Sequence, residues 1–208
     1  MATSKPVKIT FHEDKLLFRE VVLYTARKTG LNAALVEKDY FCSVLLASLC
    51  NGCKHPPVFR GGTCLSKIHA DFYRLSEDLD FTISLPPISS RTDRSRMITP
   101  VKDWISTLEK ESPVFKVEQK LTGFNNSKQY VAQVAYPTLV GSGFGRIKIE
   151  IGIREEILVP PVKGNVRTLL ENPFTGLPVV EEFDIVVLTR EETYAEKLRA
   201  ALTRRKPA

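Results

Sequence analysis

The segment SEDLDF (76–81) places three acidic residues just before an apolar run. Asp78 and Asp80 are two positions apart, and residues i and i+2 of a strand point to one face, about 7 Å apart. Leu79 and Phe81 would fall on the opposite, buried face. Buried carboxylates are costly unless they are paired or bind a metal, and an oxygen-only pair suits Mg²⁺ or Mn²⁺ better than zinc. An exposed acidic turn before a strand is the alternative interpretation.

A glycine turn precedes these acids, in the segment FRGGTCLSK. Gly61 and Gly62 lie between a predicted strand and a predicted helix, where glycine permits close backbone approach and the helix start offers free N–H groups. Such a turn can cradle a phosphate. The hydroxyls of Thr63 and Ser66 would add ligands, and Lys67, one helical turn past Thr63, would add a positive charge. A tight turn that only opens a helix is the alternative.

The pattern along the rest of the chain predicts the elements that must position these residues. Helical periodicity over 12–29 and 32–50 is followed by a strand at PVFRGG, a helix at TCLSKIHADFY and a strand at LDFTISL. A helix is predicted around ITPVKDWISTLEK, and alternation then predicts three strands, FKVEQKLTG, KQYVAQVAYP and GRIKIEIGI. The segment PPVKGNVRTLLENPFTGLP reads as loop, FDIVVL as a strand and TREETYAEKLRAALTRR as a helix. This order favours an α/β (α+β) fold with one mixed sheet.

Composition excludes several classes of protein. The longest apolar run, VLLASL, is far shorter than the roughly 20 residues of a membrane span, and no apolar segment near residue 1 predicts a signal peptide. Cys50 and Cys53 form a C-x-x-C without the second pair that a structural zinc site needs. The 208 residues carry a formal net charge of +6, which suits a polyanionic partner. We therefore expect a cytoplasmic protein with no membrane association.

The two motifs together resemble a known family. FRGGTCLSK followed by RLSEDLDF is similar to the AbiEii/AbiGii toxins of type IV toxin–antitoxin systems, which read like GGTSLSK followed by RFSEDID. VEKDYF resembles the EKDYW stretch of that group, and TREETYAEKLRAAL resembles a later helix with Glu196-Lys197 at its E-K position. The resemblance spans residues 30–204. It implies a polymerase-β-like nucleotidyltransferase fold, in which helices flank a mixed central sheet.

The resemblance also implies an activity: transfer of a nucleotide from an NTP to an acceptor with the help of Mg²⁺. Asp78 and Asp80 would bind the metal, and Glu150 in RIKIEIGI is the candidate for a third carboxylate from a later strand. Two ions about 4 Å apart would then bridge the attacking and leaving oxygens. Lys197 would reach the phosphates. Residues implied to bind the nucleotide are Gly61, Gly62, Thr63, Ser66 and Lys67.

Alternatives remain open for the later residues and for the function. Glu150 could be a strand-surface acid paired with Lys148 or Lys128, and Lys197 could be a solvated lysine on a charge-laced helix face. The favoured acceptor is an RNA, with tRNA the leading candidate, and the resemblance adds a cognate antitoxin as a partner. A non-catalytic nucleotide- or RNA-binding module is the competing class, and transfer to a protein or a small molecule is a variant of the enzyme.

The resemblance suggests a division of the chain into three parts. These are an N-terminal helical segment packed on the core (1–54), a nucleotidyltransferase core (55–188) and the start of a C-terminal helical region that is cut short (189–208). Members of the family continue into an R-D-x-x-D stretch, whereas this sequence stops at Ala208. We expect transfer to be weakened if that aspartate takes part in it.

Overall fold

The computed structural model describes residues 7–72, 75–86, 88–154 and 157–203. Its strands are β1 (Val58–Arg60), β2 (Asp78–Ser84), β3 (Lys116–Phe124), β4 (Gln129–Pro137), β5 (Phe144–Arg154), β6 (Val162–Val166) and β7 (Phe183–Val187). Its helices are α1 (Lys15–Thr29), α2 (Ala33–Gly52), α3 (Gly61–Cys64), α4 (Arg91–Met97), α5 (Thr99–Glu111) and α6 (Arg190–Thr203). Helix α3 continues as a π-helical turn, Leu65–His69.

A seven-stranded sheet in the order β3-β4-β5-β2-β1-β7-β6 forms the centre of the fold. The pairs β2–β5 and β1–β7 are parallel, and the remaining four pairs are antiparallel. The predicted α+β fold with one mixed sheet is therefore confirmed. Within the described ranges, no helix has the length and apolar character needed to cross a membrane.

The apolar core joins one face of the sheet to α2 and α5. Leu79 and Ile149 from the central strands, Phe41 from α2 and Trp104 from α5 are at most 2% exposed and belong to one cluster. The predicted start of α2 is confirmed, because the side chain of Asn32 accepts a hydrogen bond from the Ala34 N–H. The division of the chain at residues 54 and 188 stays a prediction.

Two elements were missed by the sequence interpretation. Strand β6 lies in the segment read as loop, and it pairs antiparallel with β7. Its residues VKGNV contain a glycine and an asparagine, which lower strand propensity, so its pairing partner determines the structure. Helix α4 opens with a capping box between Ser90 and Asp93, a local signal that a cluster of arginines obscured.

Candidate active site

The pairing of β2 with β5 brings the three predicted metal-binding residues to one face of the sheet. Asp80 lies opposite Glu150, and Asp78 lies opposite Lys148. Neighbouring strands are about 4.8 Å apart, so the backbone places these groups side by side. Leu79, between the two aspartates, is only 1% exposed on the other face. The strand alternation predicted for the two aspartates is confirmed. The register between β2 and β5 places Glu150 on the same face as the aspartates.

The surroundings of Asp80 disfavour the ionised form of its carboxyl group. Burial raises its pKa above the ordinary value, the neighbouring Glu150 and Asp78 raise it further, and Arg60 and Lys148 lower it. Burial and like charges both disfavour the ionised form of a carboxyl group. A bound cation would offset both effects, which makes Asp80 a suitable centre for a metal site.

Glu150 is engaged elsewhere in this structure. Its carboxylate forms an ion pair with Lys148, and this hydrogen bond raises the pKa of the lysine. The pairing foreseen as an alternative for Glu150 is thus present. In the described part of the chain, no group of three or more His, Cys, Asp or Glu side chains is arranged to hold a metal ion. The oxygen donors suit Mg²⁺ in type, and Glu150 would have to leave Lys148 to join the two aspartates.

The glycine pair lies directly against the acidic strand. Gly61 has a φ of +81°, and a Cβ atom on it would be 2.2 Å from the Oδ2 atom of Asp80. A Cβ atom on Gly62 would be 2.5 Å from the Oγ atom of Ser76. The positive φ and the contact with Asp80 both require glycine at position 61, so the start of α3 and the carboxylate of Asp80 face each other at close range. A side chain at position 62 would have to displace that of Ser76. Ser76, which the sequence interpretation did not single out, belongs to this contact.

The other three predicted nucleotide-binding residues are buried. The hydroxyl of Thr63 donates to the carbonyl oxygen of Asp78 at 2.5 Å, and that of Ser66 donates to the carbonyl oxygen of Thr63 at 3.1 Å. Their side chains are thus used within the protein, and Thr63 ties the start of the helix to β2. A phosphate bound at this turn would meet the backbone of the glycines.

The interpretation of Lys67 as a phosphate ligand does not fit the structure. Its side chain is completely buried, and its Nζ atom is 2.7 Å from the Oδ1 atom of Asp39. The ammonium also donates to the carbonyl oxygen of Asp39 at 2.9 Å and to the hydroxyl of Ser43 at 2.8 Å. These contacts direct the side chain of Lys67 to α2, which carries Asp39 and Ser43. Its charge is therefore compensated inside the protein by Asp39 and Ser43.

A cleft of about 760 Å³ opens beside the carboxylates, between the sheet and α6. Arg60 and Glu150 line the end nearest the aspartates. The Nη1 atom of Arg60 is 2.7 Å from the Oε2 atom of Glu196 on α6, and this ion pair ties the helix to β1. Arg60 directly precedes the glycine pair in FRGG, which is the signal that could have identified it as a site residue.

Lys197 lies on a different side of α6 from the cleft. Its neighbours Ala195 and Glu196 line the cleft, whereas Lys197 is half-buried and follows the buried Thr193 by one turn. Contact between Lys197 and a phosphate stays a prediction.

Comparison with protein families decides the classification. The family model described as nucleotidyl transferase AbiEii toxin, type IV TA system, matches residues 44–207. The chain belongs to this family. The match includes both motifs and α6, so the resemblance to this family is confirmed, whereas VEKDYF (36–41) lies outside the matched range.

Two solved structures are similar to this AbiEii chain at low identity. One is a candidate nucleotidyltransferase from H. pylori, with 17% identity and a TM-score of 0.41, covering 89% of this chain and 58% of that one. The other is JHP933 from Helicobacter pylori, with 16% identity and the same TM-score, covering 89% and 56%. The chain thus spans less than three fifths of the length of either structure. No curated protein matches.

The contact between the glycine pair and Asp80 can be tested in this AbiEii chain by the variant Gly61→Ala. We expect a loss of about 1–3 kcal/mol of unfolding free energy, together with impaired transfer, because a Cβ atom strains the backbone and displaces the carboxylate. Urea denaturation and a transfer assay measure the two effects.

Gly30→Ala is the matched control for this variant. Gly30 also has a positive φ, +71°, but a Cβ atom on it would meet nothing within 4 Å. The variant Gly30→Ala should therefore lose only the stability that backbone strain costs, and its transfer activity should be unchanged. Equal behaviour of the two variants would contradict a role for close approach between Gly61 and Asp80.

Proposed function

We propose that this protein is a nucleotidyltransferase toxin that uses an NTP and Mg²⁺ to transfer nucleotides to an RNA acceptor, with tRNA the leading candidate. One observation carries the proposal: Asp78, Asp80 and Glu150 lie on one face of neighbouring parallel strands, directly against the glycine turn at Gly61. Membership of the AbiEii family supports the reaction class. An RNA-binding surface has no use for concentrated negative charge, which argues against a non-catalytic module.

Different residues of the chain would bind the metal and the phosphates. Asp78 and Asp80 would hold Mg²⁺, and Glu150 would join them once its carboxylate leaves Lys148. Bound Mg²⁺ ions would polarise the reacting phosphoryl group and lower the pKa of the acceptor hydroxyl, as in a two-metal displacement. The glycine turn gives the phosphates access to backbone N–H groups. Arg60, which directly precedes this turn, would add a guanidinium group suited to phosphate oxygens if it exchanged its ion pair with Glu196 for a phosphate.

The charges along the cleft favour a polyanion as the second substrate. Four basic residues line it, Arg60, Arg94, Lys128 and Arg199, against three acidic ones, Glu150, Glu192 and Glu196. The whole chain has a formal net charge of +6. Positive groups along a channel attract and orient the phosphates of a nucleic-acid strand. We place the reaction in the cytoplasm, where NTPs and tRNA are found, and we include a cognate antitoxin among the partners because the family consists of toxins of toxin–antitoxin systems.

A transfer assay tests the proposal directly. The protein is incubated with total tRNA, Mg²⁺ and each of the four α-labelled NTPs in turn, beside the variant Asp78→Asn. Label on tRNA with the wild type alone, and only with Mg²⁺, is the expected result. RNA binding that depends on salt but not on Mg²⁺, without any label transfer, would instead support a binding module.

A further inference from the structure

The end of the cleft at Asn125 and Gln129 carries side-chain amides beside Arg94 and Lys128, and in this it differs from the end at the carboxylates. We propose that this end is a subsite that reads a nucleobase through the side-chain amides of Asn125 and Gln129. The proposal rests on the proposed function, because it assumes that a nucleotide or RNA strand enters the cleft. It adds the residues that would select the base.

The sheet register gives the position of this subsite. Asp80, Glu150 and Val131 lie in one row across β2, β5 and β4. The next row on the same face, two residues further along each strand, consists of Thr82, Gly152 and Gln129. This row lines the cleft and is about 7 Å from the carboxylates. A base attached through its ribose to a phosphate at the carboxylates reaches a row at this distance.

The lining of this end matches the two kinds of surface on a nucleobase. Leu85 and Ile157 supply apolar side chains for the flat faces of the ring. Asn125 and Gln129 also line it, and the Nδ2 atom of Asn125 is 3.4 Å from the Oε1 atom of Gln129. A carboxamide offers both donors and an acceptor, so two neighbouring amides can distinguish bases by their polar edges, which positive charges cannot do.

The turn that carries Asn125 is strained and firmly held. Asn125, Asn126 and Ser127 are three consecutive non-glycine residues with φ values of 51°, 54° and 62°. Such conformations persist where surrounding contacts determine them, and they concentrate at functional sites. Here the Lys128 N–H donates to the carbonyl oxygens of Phe124 at 3.2 Å and Asn125 at 3.1 Å. The Nε atom of Arg94 donates to the carbonyl oxygen of Asn126 at 3.1 Å. This backbone sets the position from which the Asn125 side chain lines the cleft.

Each proposed residue has a matched control in the same element. Gln129→Leu removes the first amide, and Gln133→Leu makes the same change four residues along β4, where the side chain instead bonds to Glu118. Asn125→Gly removes the second amide at a backbone conformation that suits glycine. Asn126→Gly makes the same change at the next position, where only the backbone carbonyl is used by Arg94.

The experiment has a binding arm and an acceptor arm, both with the full chain. Calorimetry gives the affinity for each of the four NTPs with Mg²⁺ in the absence of RNA. A second titration uses short RNA strands that differ only in the 3′-terminal base. We expect Gln129→Leu and Asn125→Gly to reduce the preference among bases by about tenfold, while both controls keep the wild-type preference.

The pattern of changes identifies the source of the base. A change confined to the NTP titrations assigns the subsite to the incoming nucleotide, and one confined to the RNA strands assigns it to the acceptor. Unchanged preferences in both arms, or a wild type without any preference, would overturn the inference. If the wild type transfers label and the variants keep their base preferences, only this inference is contradicted. If the protein binds bases selectively but transfers no label, only the proposed function is contradicted.

Discussion

Asp80→Asn is expected to reduce nucleotide transfer by at least about 10³-fold, and also to raise the unfolding temperature at pH 7 in the absence of divalent cations. We expect the loss of activity because the variant removes one of the three proposed metal ligands. The gain in stability follows from burial, because the ionised carboxylate of Asp80 is desolvated and lies beside Asp78 and Glu150. Transfer assays and thermal unfolding measure the two effects on one preparation.

The gain in stability should depend on pH in a defined direction. The pKa of Asp80 in the folded protein lies above its ordinary value of 3.8, so the folded state binds this proton more tightly than the unfolded state does. The favourable contribution is fully present below the ordinary value and is lost as the pH rises through the folded value. The advantage of Asp80→Asn should therefore be greatest at neutral pH and should shrink on acidification towards pH 4.

Mg²⁺ should reverse the order of stability. A ligand that binds only the folded state stabilises it by about 2.7 kcal/mol at a concentration one hundred times its Kd. Wild type should gain this stability and Asp80→Asn should not. Asp184→Asn, which alters an exposed carboxylate on β7, should change neither activity nor the response to Mg²⁺. Transfer by Asp80→Asn within about tenfold of wild type would remove Asp80 from the metal site.

The orientation of the two aspartates could be predicted from the sequence because strand alternation is a local pattern. Alternation of period two put Asp78 and Asp80 on one face and Leu79 in the core, and the same rule applied to Glu150 within β5. That Glu150 lies opposite Asp80 is a matter of strand register between segments about seventy residues apart. Only the family resemblance indicated Glu150 as the third carboxylate before the structure was known.

Contacts between distant elements account for what the sequence interpretation missed. Lys67 occupies a motif position that suggested a phosphate ligand, but its ammonium is buried and ion-paired with Asp39 of α2. Arg60 reads as an ordinary strand residue until α6 brings Glu196 to it. Gln129 becomes a cleft residue only because β4 pairs with β5. Each side chain acquires its role from tertiary structure, which local periodicity does not encode.

The buried ion pair of Lys67 and Asp39 should be the most sensitive point of the fold. Its side chains are 0% and 3% exposed, and it links the helix after the glycine turn to α2. The Oδ2 atom of Asp39 also accepts the Leu169 N–H at 3.3 Å, which ties in the segment after β6. Lys67→Met would leave a buried carboxylate without its cation. We expect it to lower the free energy of unfolding by about 3–5 kcal/mol, measured by urea denaturation.

A double-mutant cycle distinguishes this structural role from phosphate binding. The variant Asp39→Asn/Lys67→Met removes both charges and keeps an oxygen for the Leu169 N–H, so it should recover most of the lost stability. NTP affinity of the double variant should stay near that of wild type, because no phosphate contact is removed. If Lys67→Met instead folded with wild-type stability and bound NTP at least about tenfold more weakly, Lys67 would be a phosphate ligand after all. Burial of its ammonium against Asp39 and Ser43 argues for the first result, since an ion that leaves this pair for a phosphate must abandon three short contacts in the interior.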